Sequence, residues 1–228
     1  MQDTKTNLPA LQNMGGSMRD QRVNPDLQEE RDKCIFDQKE FIERIMDPVI
    51  LDRINSYCDD IDKYPDLKFD HTYHDMTREE QIKAWWEKLA LMYKIDKEKY
   101  FYNWTGGSFS YTYCHPGVSP LFLHYQMFQL AVDRLASDEQ RAIWMPKINS
   151  IKMVGCYAQT ELGHGSNVGG LETTATYDMA KDEFVVNSPT ITSTKWWAGG
   201  LGLWANHAVV FARLLVDQND YGVQPFLI

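Results

Sequence analysis
The chain has 228 residues, 43% of them hydrophobic and 24% charged, ordinary values for a globular protein of one large domain or two small ones. A formal charge of −9 argues against a nucleic-acid partner, which needs a clustered basic face, and disfavours an anionic membrane surface for the same reason. No apolar run approaches the roughly 20 residues that cross a bilayer, and Cys34, Cys58, Cys114 and Cys156 lack any C-x-x-C spacing, so they read as reduced thiols.

In chain order, residues 1–22 form a polar stretch broken at Gly15-Gly16-Ser17, without the apolar core of a secretory signal, and are expected to be a disordered tail. From Asn24-Pro25-Asp26 to about Ser150 the period is helical. Phe41 and Ile45, then Ile50, Ile54, Tyr57 and Ile61, recur at three- and four-residue spacing. Thr77 and Glu80 form a capping box, and Ile82, Trp85, Trp86, Leu89, Met92 and Tyr93 continue it as one apolar stripe. Trp85 and Trp86 are read as packing residues. Tyr100 to Gly117 reads as an aromatic loop. Ser119-Pro120 then opens a segment, Leu121 to Leu135, apolar nearly all round, the pattern of a buried helix. Ser137 and Gln140 repeat the capping box before a further helix.

At about Ile151 the period changes. Ile151 to Gln159 reads as a buried strand, and Thr173–Tyr177 and Glu183–Asn187 as a hairpin around Asp178-Met179-Ala180-Lys181-Asp182. His207–Val216 is a strand rich in Val, Leu and Phe, and Tyr221–Ile228 begins another after a turn. The expected fold class is α+β: an all-α domain over 23–150, then an incomplete, barrel-like antiparallel β domain over 151–228. The chain ends in strand-like Pro225-Phe226-Leu227-Ile228, which suggests the N-terminal part of something longer.

Two stretches invite chemistry. Gly155 to Asn167 is an apolar run that ends at Thr160 and opens into a loop with Gly163 and Gly165, where backbone can approach a ligand closely. Lys195-Trp196-Trp197-Ala198-Gly199-Gly200 sets two indoles beside a glycine pair. Each has an ordinary reading: turn glycines, a strand-end hydroxyl, core or interface tryptophans. His71 and His74 lack the partners of a metal site, so no metal is expected. His164 has no orienting carboxylate evident in the sequence, and Ser166 is not in a G-x-S-x-G elbow, which removes a hydrolase.

Taken together and in order, Asn24-Pro25-Asp26-Leu27, His115-Pro116, the Tyr157–Ser166 loop, Gly170–Asp178, Asn187-Ser188-Pro189-Thr190 and the Lys195–Gly200 run resemble the acyl-CoA oxidases, over almost the whole chain beyond residue 23. The resemblance implies FAD as cofactor, with Thr160 at the polar edge of the isoalloxazine, Gly199 holding backbone against the ring, and Trp197 as a flat wall. Ser166 would lie near the bound thioester substrate. It implies α,β-dehydrogenation of a fatty acyl-CoA, with molecular oxygen reoxidising the flavin to give hydrogen peroxide. It also implies a peroxisomal location and a homodimer with FAD near the subunit interface. The family's catalytic base is a glutamate in its C-terminal half, and no Glu here matches it, so no catalytic residue is assigned and Glu161 is not promoted to that role. The alternatives are a dehydrogenase of the same superfamily, disfavoured by Trp197-Ala198-Gly199-Gly200, and a non-catalytic remnant serving as a binding or dimerisation module.

Overall fold
A computed structural model describes residues 25–69, 71–102 and 117–228. The expected tail, Asn24, His115-Pro116, Cys114 and most of the aromatic loop lie outside the described residues. The chain divides into two compact units, residues 1–76 with 109–116, and residues 77–108 with 117–228.

In the first unit the helices Pro25–Asp32, Gln38–Ile45 and Pro48–Lys63 are followed by short 3-10 turns at Pro65–Leu67 and His71–Asp75. Their starts follow from local chemistry. The Asp37 carboxylate accepts from the Glu40 amide, and that of Asp47 from the Val49 amide, with Pro48 in the first turn, where no N–H partner is needed. Of the apolar positions read from spacing, Tyr57 and Ile61 are buried, whereas Phe41 and Ile45 are exposed.

The second unit opens with the Arg78–Lys97 helix, whose Thr77–Glu80 capping box is present in both directions. Trp85, Leu89 and Met92 are its buried face. The segment expected to be one buried helix is helical, but its centre, His124–Gln129, is a π-helix that passes into the α-helix Leu130–Leu135. The Ser137–Gln140 capping box then starts the Asp138–Asn149 helix.

Strands follow: β1 (Gly155–Ala158), β2 (Thr174–Asp178), β3 (Glu183–Asn187), β4 (His207–Val216) and β5 (Asn219–Leu227). The helices-then-strands succession is as expected. The sheet, however, is mixed and open rather than antiparallel throughout. β1 runs parallel to His207–Val210 and β2 parallel to Arg213–Leu215, so the two lie end to end along one edge of β4. Of the pairs between these five strands, the β2–β3 hairpin and the β4–β5 pair are antiparallel. The cause lies in the connections. Hairpin loops join β2 to β3 and β4 to β5, while residues 159–173 and 188–206 are long enough to carry the chain back in the same direction.

β1 starts later than its apolar run suggested, at Gly155, because Ile151 takes a left-handed φ of 57° at the end of the preceding helix. Strand alternation gives the sheet two apolar faces. On one face, Val209 packs with Phe128, Ala131, Val132, Ile148 and Met153, flanked by Tyr157 and Phe211. On the other, Cys156, Ala158, Ala208 and Val210 form a small-residue layer against Ala198 and Ala205. That layer brings the Lys195–Gly200 run up to the sheet end from which Thr160 emerges.

Candidate functional site
The chain leaves β1 at Ala158, and its next residues are laced to the 192–196 segment by main-chain hydrogen bonds. The Trp196 amide donates to the Thr160 carbonyl (3.0 Å), the Leu162 amide to Thr194 (3.0 Å), and the Gly163 amide to Thr192 (2.9 Å). Glu161 and Lys195 form an antiparallel bridge between them. Two stretches some 30 residues apart in sequence are therefore one piece of backbone. Gly199 lies three residues beyond Trp196, and three extended residues reach at most about 10 Å, so Thr160 and Gly199 belong to one locality.

Glycine has a steric reason at Gly163, where a Cβ would stand 2.8 Å from Thr192 Cβ, closer than real side chains approach. A Cβ on Gly199 would meet only Leu123 Cδ1 within 3 Å, at 2.1 Å, the tip of a flexible side chain that can turn aside. Gly165, by contrast, faces open space, and Ser166 beside it is exposed. Thr160 is half-buried, and its hydroxyl has no hydrogen-bond partner among the described residues.

Beneath this rim lies a buried ionic cluster. The Glu161 side chain is wholly inaccessible, and its carboxylate accepts from the amides of Glu172 (2.9 Å) and Thr173 (2.8 Å) and from Lys195 Nζ (3.1 Å). Burial alone would raise its pKa, but these donors outweigh burial and hold it down at about 2. A carboxylate so firmly ionised and fully engaged is a poor proton acceptor. Lys195 is pulled the other way, its pKa lowered by burial and partly restored by Glu161.

The sequence reading missed the carboxylate next to His164. Glu161 Oε2 lies 3.1 Å from His164 Nδ1, and Glu172 Oε1 lies 3.7 Å from Nε2. The turn that closes Glu161 N to the His164 carbonyl, and His164 N to the Glu161 carbonyl, makes this contact (both 3.1 Å). A Glu and a His three apart around a glycine was the available signal. Glu172 in turn accepts from the hydroxyls of Thr190 and Thr192.

Trp196 and Trp197 are not core: they are 59% and 85% exposed. Trp197 also has a left-handed φ of 64°, a strained conformation for a bulky side chain. Trp197→Asn is expected to raise the stability of the chain by about 1 kcal/mol, because asparagine enters that region at little cost. Urea unfolding checks it; a loss of stability would show that the indole is held by packing.

The geometry thus offers a flat exposed indole, a glycine backbone, and a half-buried hydroxyl without a partner among the described residues, along one ordered rim. A planar heteroaromatic group with a polar edge fits those donors and surfaces.

Residues 33–154 match the family model described as acyl-coenzyme A oxidase N-terminal. The chain is 53% identical over 106 residues to peroxisomal acyl-coenzyme A oxidase 1 of Arabidopsis thaliana, covering 46% of this chain and 16% of that protein. It is 37% identical over 218 residues to the Cavia porcellus peroxisomal acyl-coenzyme A oxidase 1, covering 90% of this chain and 31% of the other. Among solved structures, acyl-CoA oxidase-2 of Caenorhabditis elegans, bound with FAD, ascaroside-CoA and ATP, superposes with a TM-score of 0.76 at 36% identity, over 93% of this chain and 32% of that one. The chain spans about a third or less of the length of these relatives. On the match over residues 33–154, and on likeness at this level through sequence and fold alike, the chain belongs to the acyl-CoA oxidase family.

Proposed function
We propose that this chain supplies the helical region (23–150) and the flavin-edge β region (151–228) of an FAD-dependent acyl-CoA oxidase. The whole protein would convert a fatty acyl-CoA to the trans-2-enoyl-CoA and pass the electrons to oxygen, giving hydrogen peroxide, in fatty acid β-oxidation. The names of its relatives support a peroxisomal location, and the family resemblance a homodimer.

The observation that carries this reading is the hydrogen-bonded rim from Thr160 to Trp196, with Gly199 just beyond it. Thr160 would offer its free hydroxyl to the polar edge of the isoalloxazine. Gly199 would admit the ring against the main chain, and the exposed Trp197 indole would cover a flank and exclude water. Ser166, on the far side of the Gly163 turn, would meet the substrate thioester. The bound flavin supplies a two-electron acceptor. The base that removes the α-proton is not assigned to any residue of this chain.

Protein made from the complete reading frame that contains this chain tests the proposal. It should carry flavin absorbance, consume oxygen and release peroxide on addition of a fatty acyl-CoA. Reduction of an artificial acceptor without oxygen uptake would make it a dehydrogenase. A frame that stops at Ile228 would favour a non-catalytic module, and a full-length protein that never takes up flavin would sink the assignment.

A further inference from the structure
We propose that the buried Glu161–Lys195 pair is a positioning device for the flavin rim, an inference that rests on the flavin reading above. The ammonium of Lys195 has three donors and all three are used, on the Gln159 carbonyl (3.0 Å), Glu161 Oε1 (3.1 Å) and the Phe211 carbonyl (2.6 Å). Gln159 and Glu161 are the two neighbours of Thr160, so one cation grips both sides of that residue and ties it to β4 through Phe211. The residue after Lys195 completes the hold, because the Trp196 amide donates to the Thr160 carbonyl (3.0 Å). What the pair leaves uncommitted is the Thr160 hydroxyl.

The other end of Glu161 performs the matching task. Its carboxylate takes the amides of Glu172 and Thr173 and faces His164 Nδ1, which pins the Gly163 turn, and the approach to Ser166, onto the start of β2. A buried ion pair is a weak source of net stability, since desolvation offsets most of the attraction. Here it contributes shape instead: one point charge and one carboxylate fix backbone on three separate segments. The lysine stands within the same run as Trp197 and Gly199, so its placement sets both sides of the ring site at once.

The test titrates the apo form of the protein made from the complete reading frame that contains this chain with FAD, following flavin fluorescence, with thermal melting of each sample. Wild type is compared with Lys195→Met and with the double variant Glu161→Gln/Lys195→Met, in which no unpaired charge is left buried. The expected result is a double variant that melts close to wild type yet binds FAD about tenfold or more weakly, the usual cost of loosening an orienting shell. A folded double variant with wild-type affinity overturns the inference. Should the variants fail to fold, hydrogen exchange in the wild type decides: the Leu162, Glu172, Thr173 and Trp196 amides should be equally protected with and without FAD. A large gain of protection on adding FAD would mean that the ligand orders the rim, and would overturn the inference while sparing the flavin reading. A wild-type full-length protein that takes up no FAD overturns that reading itself, and the pair's role with it.

Discussion

Lowering the pH from 7.5 to 4 is expected to remove about 3 kcal/mol of stability from the chain, with the loss beginning near pH 6.5. The source is His124, wholly buried at the start of the π-helix. Its Nδ1 accepts the Gly155 amide (3.1 Å), which places the neutral ring's proton on Nε2. Nε2 has no hydrogen-bond partner among the described residues. Burial drives its pKa down to about 4, and the nearby Ile148 carbonyl raises it back only in part. The Phe128 ring stacks on the imidazole and the Tyr125 ring meets its edge, and among the described residues no carboxylate acts to favour the cation. Between pH 6.5 and 4 the unfolded chain therefore takes up a proton that the folded chain refuses. Stability falls as pH falls, by about 1.4 kcal/mol per unit, and is flat above 6.5 as far as this group is concerned.

Protonation would also turn Nδ1 from acceptor to donor and set it against the Gly155 N–H, loosening the first residue of the strand that leads to Thr160. Glu161 acts in a lower window, contributing above its ordinary 4.5 and losing that contribution as pH falls towards about 2. Urea midpoints measured at several pH values separate the two. In His124→Asn, whose amide oxygen can replace the Nδ1 acceptor, the slope between pH 6.5 and 4.5 should largely disappear. A wild type that is flat down to pH 5, or a variant with the same slope, would remove His124 as the cause.

The parts of this architecture that sequence reveals are those set by neighbours in the chain. The Thr77–Glu80 and Ser137–Gln140 boxes are local hydrogen bonds, and both are present. β3 and β4 begin and end where Val, Leu and Phe give way to Asp, Asn and Gln, and their bounds match the sequence reading. What long connections decide is not local. The parallel registers of β1 and β2 on β4 depend on how residues 159–173 and 188–206 return, and no residue type announces that. The Glu161–Lys195 contact joins positions 34 apart, and sequence alone shows a carboxylate in a glycine loop and a lysine before two tryptophans. His124 and Gln129 are buried, whereas Gln126 between them is only partly so, and the sequence of the run does not tell them apart. Thr160 and Gly199 are singled out by family likeness, and the backbone lacing adds a physical reason for treating them as one locality.

A single methyl group on Gly155 should be among the most damaging small changes to this chain. An alanine Cβ there would fall 2.1 to 2.2 Å from Phe128 Cδ2, Cε2 and Cγ, inside the ring's own volume. Neither side can retreat cheaply. Phe128 is fully buried among Ala131, Val132, Ile148, Met153 and Val209. Gly155 is bound by its amide to His124 and by register to His207 on β4. Overpacking of a rigid site costs about 1–3 kcal/mol and occasionally more, and Gly155→Ala is expected at the upper end. Because the clash is with one ring, it should be partly relieved by shrinking that ring. Phe128→Leu alone should destabilise, yet in the Gly155→Ala background it should cost less, with a coupling of about 1 kcal/mol or more in a double-mutant cycle. Independent effects, or a Gly155→Ala protein as stable as wild type, would mean that β1 can shift away from the helix. β1 runs straight into Thr160, so a strand displaced by that methyl would carry the rim with it, and the amide shifts of Thr160 and Trp196 should move in Gly155→Ala although neither residue touches the substitution.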